Sequence, residues 1–161
     1  MRSATAGAAL LLNPLRVFSR PQITADPYKL EIVREFVGAG HNNLARVKEM
    51  LEEYPNLLYA RYDLGNGDFE EAIEGAGHVG NREIALYLIE KGARPNLFVL
   101  AMLGETAIVK TAIEKYPPLL NAKGAHGFTL LHHATRGGEQ AKELLEYLKE
   151  KGLAIMRIKI E

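Results

Sequence analysis

The chain has 161 residues with 20 basic and 20 acidic side chains, so its formal net charge is zero, and it contains no cysteine. The missing thiols exclude disulfides, thiolate metal sites and cysteine nucleophiles, and the neutral balance argues against a nucleic-acid partner, which calls for a basic excess. At 47% hydrophobic and 25% charged the composition is that of a globular chain, and the length makes one domain the default.

Residues 1–25 hold Arg2, Arg16 and Arg20 and no acid, so 17 of the 20 basic residues and all 20 acidic ones lie beyond them. The apolar run Ala6-Gly7-Ala8-Ala9-Leu10-Leu11-Leu12 sits in this stretch. A positive start followed by a short apolar run reads as a targeting leader rather than as fold. An exported, periplasmic destination is expected, with a mitochondrial presequence and a plain cytoplasmic tail as the alternatives. The run is too short to span a bilayer, which needs ~20 apolar residues, so no stable membrane insertion is expected.

Folded sequence is predicted over 26–153, opening at Asp26-Pro27 as N-cap and first helical residue. Leu30, Val33, Phe36 and Val37 recur at helical spacing, as do Val47, Met50 and Leu51. Gly or Asn punctuates nearly every helix end, at Gly38-Ala39-Gly40, Gly75-Ala76-Gly77, Gly80-Asn81, Gly92, Gly104, Gly137-Gly138 and Gly152. Residues 47–61 (VKEMLEEYPNLLYAR) and 109–123 (VKTAIEKYPPLLNAK) are identical at eight of 15 positions at an offset of 62. Such a self-match indicates duplicated supersecondary units, two helix pairs per span and so about 31 residues each. The end, residues 154–161, breaks the helical rhythm with Ile155, Ile158 and Ile160 and is expected to run extended or to be disordered.

The last unit carries a family resemblance. Gly127-Phe128-Thr129-Leu130-Leu131-His132-His133-Ala134 resembles the ankyrin pattern G-x-T-P-L-H-x-A, with Leu130 in place of proline, and Gly138 falls between its two helices. Ala72, Ile73, Ala76 and Gly80, followed by Ile84–Ala93, fit the same frame. The unit around Leu97, Leu100, Ala101 and Gly104 is shortened, and the first, Leu30–Tyr54, is degenerate. The resemblance implies an all-α fold, an ankyrin-like solenoid of about four helix-turn-helix repeats that stack to build a shared core. Ala76, Ala101 and Ala134 would let inner helices approach, Ile73, Leu97 and Leu131 would be core, and Thr129 and His132 would tie the last inner helix to adjoining backbone. It further implies a monomer that binds another protein through a concave face. On that face fall His78, Val79, Val99, Met102, His133 and Arg136 from the inner helices and Tyr62, Asn66, Asp68, His126 and Phe128 from the loops, with Val99 and Met102 as an apolar patch in mid-face.

Other chemistry finds little footing. Gly75-Ala76-Gly77-His78-Val79-Gly80 matches G-x-G-x-x-G, but a dinucleotide site needs a buried strand before it, and Phe69–Glu74 reads as a charged helical stretch. The five histidines are His41, His78, His126, His132 and His133. No pair shows helical ligand spacing, and His41 and His78 occupy equivalent places in their units, which reads as a structural role. No metal and no cofactor is therefore expected. The only serines, Ser3 and Ser19, lie in the leader, which removes serine catalysis from the folded part. The expected function is protein binding without catalysis. The alternatives are an exported accessory that stabilises or delivers an enzyme, and a small-molecule hydrolase using the acidic loop 63–74. A polar, water-filled pocket around Asp68 and Glu71 would favour the hydrolase, and an open groove would favour binding.

Overall fold

A computed structural model of the chain describes residues 26–160. The predicted leader, residues 1–25, and the last residue, Glu161, lie outside the described residues. The described chain is mostly helical: α1 (Leu30–Asn42), α2 (Leu44–Glu53), β1 (Arg61–Gly65), β2 (Asp68–Glu71), α3 (Ala72–Val79), α4 (Arg82–Glu90), α5 (Leu97–Leu103), α6 (Thr106–Lys115), α7 (Leu130–Arg136) and α8 (Lys142–Glu150), joined by short 3-10 turns. No described helix is long and apolar enough to cross a membrane.

The helix starts obey the local chemistry. Asn43, Asn81, Asn96 and Thr129 each accept a backbone N–H of the following first turn, capping α2, α4, α5 and α7. The first helix departs from the expected Asp26-Pro27 start and begins at Leu30. Residues 26–29 are not helical, and Tyr28 packs edge-on against Tyr54, ring centroids 5.6 Å apart. The duplicated segments fold alike. α2 ends at Tyr54 (φ −130°, ψ 75°) and α6 at Tyr116 (φ −131°, ψ 76°), and each runs into a proline-led 3-10 turn, Pro55–Tyr59 and Pro117–Asn121.

α1 packs on α3, α3 on α5 and α5 on α7, and α2, α4, α6 and α8 lie against the helices they follow. One core cluster gathers Phe36, Val47, Leu57, Ile73, Ile84, Leu88, Val99 and Met102; a second gathers Ala101, Val109, Leu130, Leu131, Leu144 and Leu148. The two meet in α5, whose sequence Leu97-Phe98-Val99-Leu100-Ala101-Met102-Leu103 is apolar on all sides because both sides are covered. Ala76, Ala101 and Ala134 are fully buried, as are Ile73 and Leu131 nearly so, whereas Leu97 is only half-buried. After α8 the chain runs extended along the start of α7. The Thr129 N–H donates to the Met156 carbonyl (3.1 Å), the Thr129 hydroxyl to the Ile155 carbonyl (2.6 Å) and the Ile158 N–H to the Gly127 carbonyl (2.8 Å).

The inner helices approach until a methyl group no longer fits between them. A Cβ added at Gly40 of α1 would lie 2.3 Å from the Ala72 carbonyl oxygen at the start of α3, whereas one added at Gly38 would meet nothing within 4 Å. Two alanine substitutions in one helix therefore separate propensity from packing. Gly38→Ala is expected to stabilise the fold by about 0.5–1 kcal/mol through helix propensity, and Gly40→Ala to destabilise it despite the same propensity gain, both read by urea unfolding. Leu131→Ala is expected to cost roughly 2–5 kcal/mol in the same assay.

Candidate functional site

Of the stretch Phe69–Glu74, whose charges predict a helix, Phe69–Glu71 belong to the strand Asp68–Glu71 and only Ala72–Glu74 are helical. β1 and β2 form an antiparallel hairpin with Arg61 opposite Glu71, Tyr62 opposite Glu70 and Asp63 opposite Phe69, and the helix begins only at Ala72. Side chains alternate along a strand, so Phe69 points out (43% exposed) while Glu70 points in (3% exposed). At the junction Glu71 and Glu74 form a reciprocal capping box, and Arg61 pairs with both carboxylates (3.2 and 3.5 Å).

Glu70 is the centre of a cluster assembled from four places in the chain. His78 Nε2 lies 2.8 Å from Glu70 Oε1, His126 Nε2 3.3 Å and His41 Nε2 3.4 Å from the same oxygen. The donor atoms of these four residues all fall within 4.8 Å of one another. His41 comes from the last turn of α1, His78 from the last turn of α3, and His126 from the 3-10 turn Ala125–Gly127. The rings meet edge to face, His41 with His78 at 4.8 Å and His78 with His126 at 5.1 Å between centroids.

Each remaining ring contact has a definite polarity. His41 Nδ1–H donates to the Val37 carbonyl (3.2 Å), and His126 Nδ1–H donates to the Asp68 carboxylate (3.1 Å), whose other oxygen accepts the His126 backbone N–H (2.8 Å). His126 is held at φ 58° by this grip. Behind the cluster Phe128 stacks on His132 (4.0 Å) and on His78 (5.2 Å), and His132 Nε2–H donates to the His78 carbonyl (2.8 Å). The close approach of α1 to α3 depends on Gly75, where an added Cβ would fall 2.8 Å from the His41 ring. The G-x-G-x-x-G stretch thus lies within α3 and its C-cap as a packing surface, not ahead of a helix as a phosphate loop, although a short strand does precede it.

The proposed binding face is only partly accessible. Val99 (0% exposed) and Met102 (1%) are core, because α5 is covered by both α3 and α7; they form no surface patch. His78 and His133 are buried too, the first against Glu70 and the second under Phe98. Asn66 and Arg136 are exposed, and Tyr62, Asp68, Val79, His126 and Phe128 are half-buried. Of these residues the cluster unites His78 and His126 and adds His41 and Glu70, which periodicity alone had left apart. The available signal was the shared position of His41 and His78 in successive units, together with the alternation that turns Glu70 inward.

The acidic loop is structurally employed. Asp63 accepts the Gly65 N–H (2.8 Å), Asp68 holds His126, and Glu71 and Glu74 cap α3. Two open clefts flank Asp68. One of about 540 Å³ is lined by Leu64, Asn66, His126, Arg157 and Lys159 among others, and one of about 430 Å³ by Arg61, Phe69, Glu74, Phe98 and Lys123 among others; Glu71 lines neither.

No family model matches the chain, and no solved structure matches it. Alpha-latrocrustotoxin-Lt1a of Latrodectus tredecimguttatus is similar at 35% identity over 82 residues, 45% of this chain and 6% of the toxin. The chain thus spans a small fraction of that relative's length.

Burial makes one histidine a stability sensor. Desolvation lowers the His133 pKa from 6.5 to about 4, outweighing the bond its Nδ1–H donates to the Thr129 carbonyl; His132 and His78 push the same way. The unfolded chain takes up this proton near pH 6.5 and the fold only near pH 4, so stability holds above 6.5 and falls as pH drops between these values. The full loss is about 3 kcal/mol. His133→Gln is expected to remove that part of the acid-side slope in pH-dependent urea unfolding, relative to the unsubstituted chain.

Proposed function

We propose that this chain is an ankyrin-like solenoid of about four helix-turn-helix units that binds another protein and carries no catalysis of its own. Support comes first from the hairpin β1–β2. Beside its tight turn Gly65-Asn66-Gly67 it presents Leu64 (45% exposed) and Phe69 (43% exposed), two large apolar side chains on an otherwise charged arm. Exposed apolar anchors ringed by polar groups are the usual energetic centre of a protein interface. On this reading the recognition surface is the hairpin, with Asn66 and Asp68 on it and Phe128 beside the His126 turn it packs on, while the exposed Arg136 lies against the end of α3 and the buried Val99 and Met102 take no part. The hydrolase alternative draws no support from the acidic loop, whose carboxylates are engaged in caps, ion pairs and the Glu70 cluster, nor from the clefts, which are open.

The experiment is affinity capture with the tagged chain from its native host, followed by the same capture with Leu64→Ala and Phe69→Ala. Both residues are exposed, so thermal stability should change little. A partner retained by the unsubstituted chain and weakened tenfold or more by Phe69→Ala is expected. Undiminished capture by the double variant would contradict the hairpin as the binding element.

A further inference from the structure

We propose that His41, Glu70, His78 and His126 bind one divalent transition-metal ion of the zinc class. Donor chemistry, geometry and the surrounding hydrogen bonds each point there.

The donors are three imidazole nitrogens and one carboxylate oxygen, a set suited to zinc and its neighbours and poorly suited to calcium or magnesium, which prefer all-oxygen shells. Ligand atoms about 2.0–2.1 Å from a tetrahedral ion stand about 3.3–3.4 Å from one another. His41 Nε2 and His126 Nε2 already lie 3.4 and 3.3 Å from Glu70 Oε1. The His78 contact, at 2.8 Å, needs to open by roughly half an ångström, and the donor atoms, spread over 4.8 Å, need to draw in around the ion.

The second observation is the tautomers. Carbonyl and carboxylate oxygens only accept, so Nδ1 of His41 and of His126 carries the proton, donated to Val37 and Asp68. A neutral ring in this state turns an Nε2 lone pair toward Glu70 Oε1, and facing lone pairs are relieved by a cation between them. Metal-bound histidines characteristically donate their other nitrogen to a carbonyl or carboxylate in this manner. Glu70 has no lysine or arginine partner among the described residues; its ion-pair contacts are these imidazoles alone. A metal ion supplies the positive charge that a carboxylate 3% exposed requires.

Four protein donors fill a tetrahedral shell and leave no open position for a reactive water. The ion therefore cross-links rather than catalyses. It would pin β2, and with it the hairpin, to the ends of α1 and α3 and to the turn Ala125–Gly127.

The test uses the full chain, stripped with a chelator and titrated with zinc by calorimetry and thermal unfolding. One ion per chain should bind, tighter than roughly 1 µM, and raise Tm by roughly 5–10 °C at hundredfold excess over Kd; magnesium should not. Asp68→Asn keeps all four donors and should weaken zinc tenfold to hundredfold, and His41→Ala and His126→Ala should weaken it at least tenfold. Far-UV circular dichroism without metal confirms that each variant folds. Glu70→Gln should also weaken zinc at least tenfold, and should that variant fail to fold, the half-exposed His126 carries the same test. Absence of a zinc-induced shift in the unsubstituted chain would overturn the proposal in favour of imidazolium rings clamping Glu70. Wild-type zinc affinity in His126→Ala would also overturn it.

Discussion

A buried carboxylate is the constraint around which the rest of this molecule is arranged. Glu70 sits on a strand edge with almost no contact with water and faces three imidazoles from three other parts of the chain. Removing an ionised carboxylate from water costs several kcal/mol unless its lone pairs and charge are answered locally. The answer fixes geometry well beyond the site: α1 and α3 must end side by side, the hairpin must fold back against them, and the turn at His126 must reach back to β2, where Asp68, 58 positions away in sequence, grips it.

The helix packing makes this possible. Gly40 and Gly75 remove the methyl groups that would hold α1 away from α3, and the His41 ring takes the vacated space above Gly75. From the other side, Phe128 stacks on His78 and His132, and His132 bonds back to the His78 carbonyl, so the last helix pair buttresses the second. The tail completes the support from outside, since Arg157 Nε donates to the His126 carbonyl (2.8 Å) and the guanidinium lies over the Phe128 ring at 5.2 Å. Site and fold are therefore one network: the contacts that align the inner helices also aim the imidazoles.

Much of this was legible in the residues themselves. Helical spacing, glycine and asparagine punctuation and the duplicated VKxxxExYPxLLxA segment mark the helix pairs, and Ala76, Ala101 and Ala134 are buried as expected. The departures have specific causes. Phe69–Glu71 reads as helix because charges obscure its period-2 burial, which depends on pairing with β1. Val99 and Met102 look like an open apolar face because a seven-residue helix covered on both sides has no polar side to reveal it. His126 and Glu70 belong together only through the tertiary fold, and no local spacing encodes a contact between a turn and a strand so far apart in the chain.

Metal binding by this cluster is read most directly by X-ray absorption at the zinc edge on the zinc-loaded full chain. Zinc held by Glu70 and the three histidines gives a single shell of four nitrogen and oxygen neighbours at about 2.0–2.1 Å, with the outer-shell scattering of three imidazole rings. A six-oxygen shell without imidazole scattering would place the zinc elsewhere on the surface and contradict it.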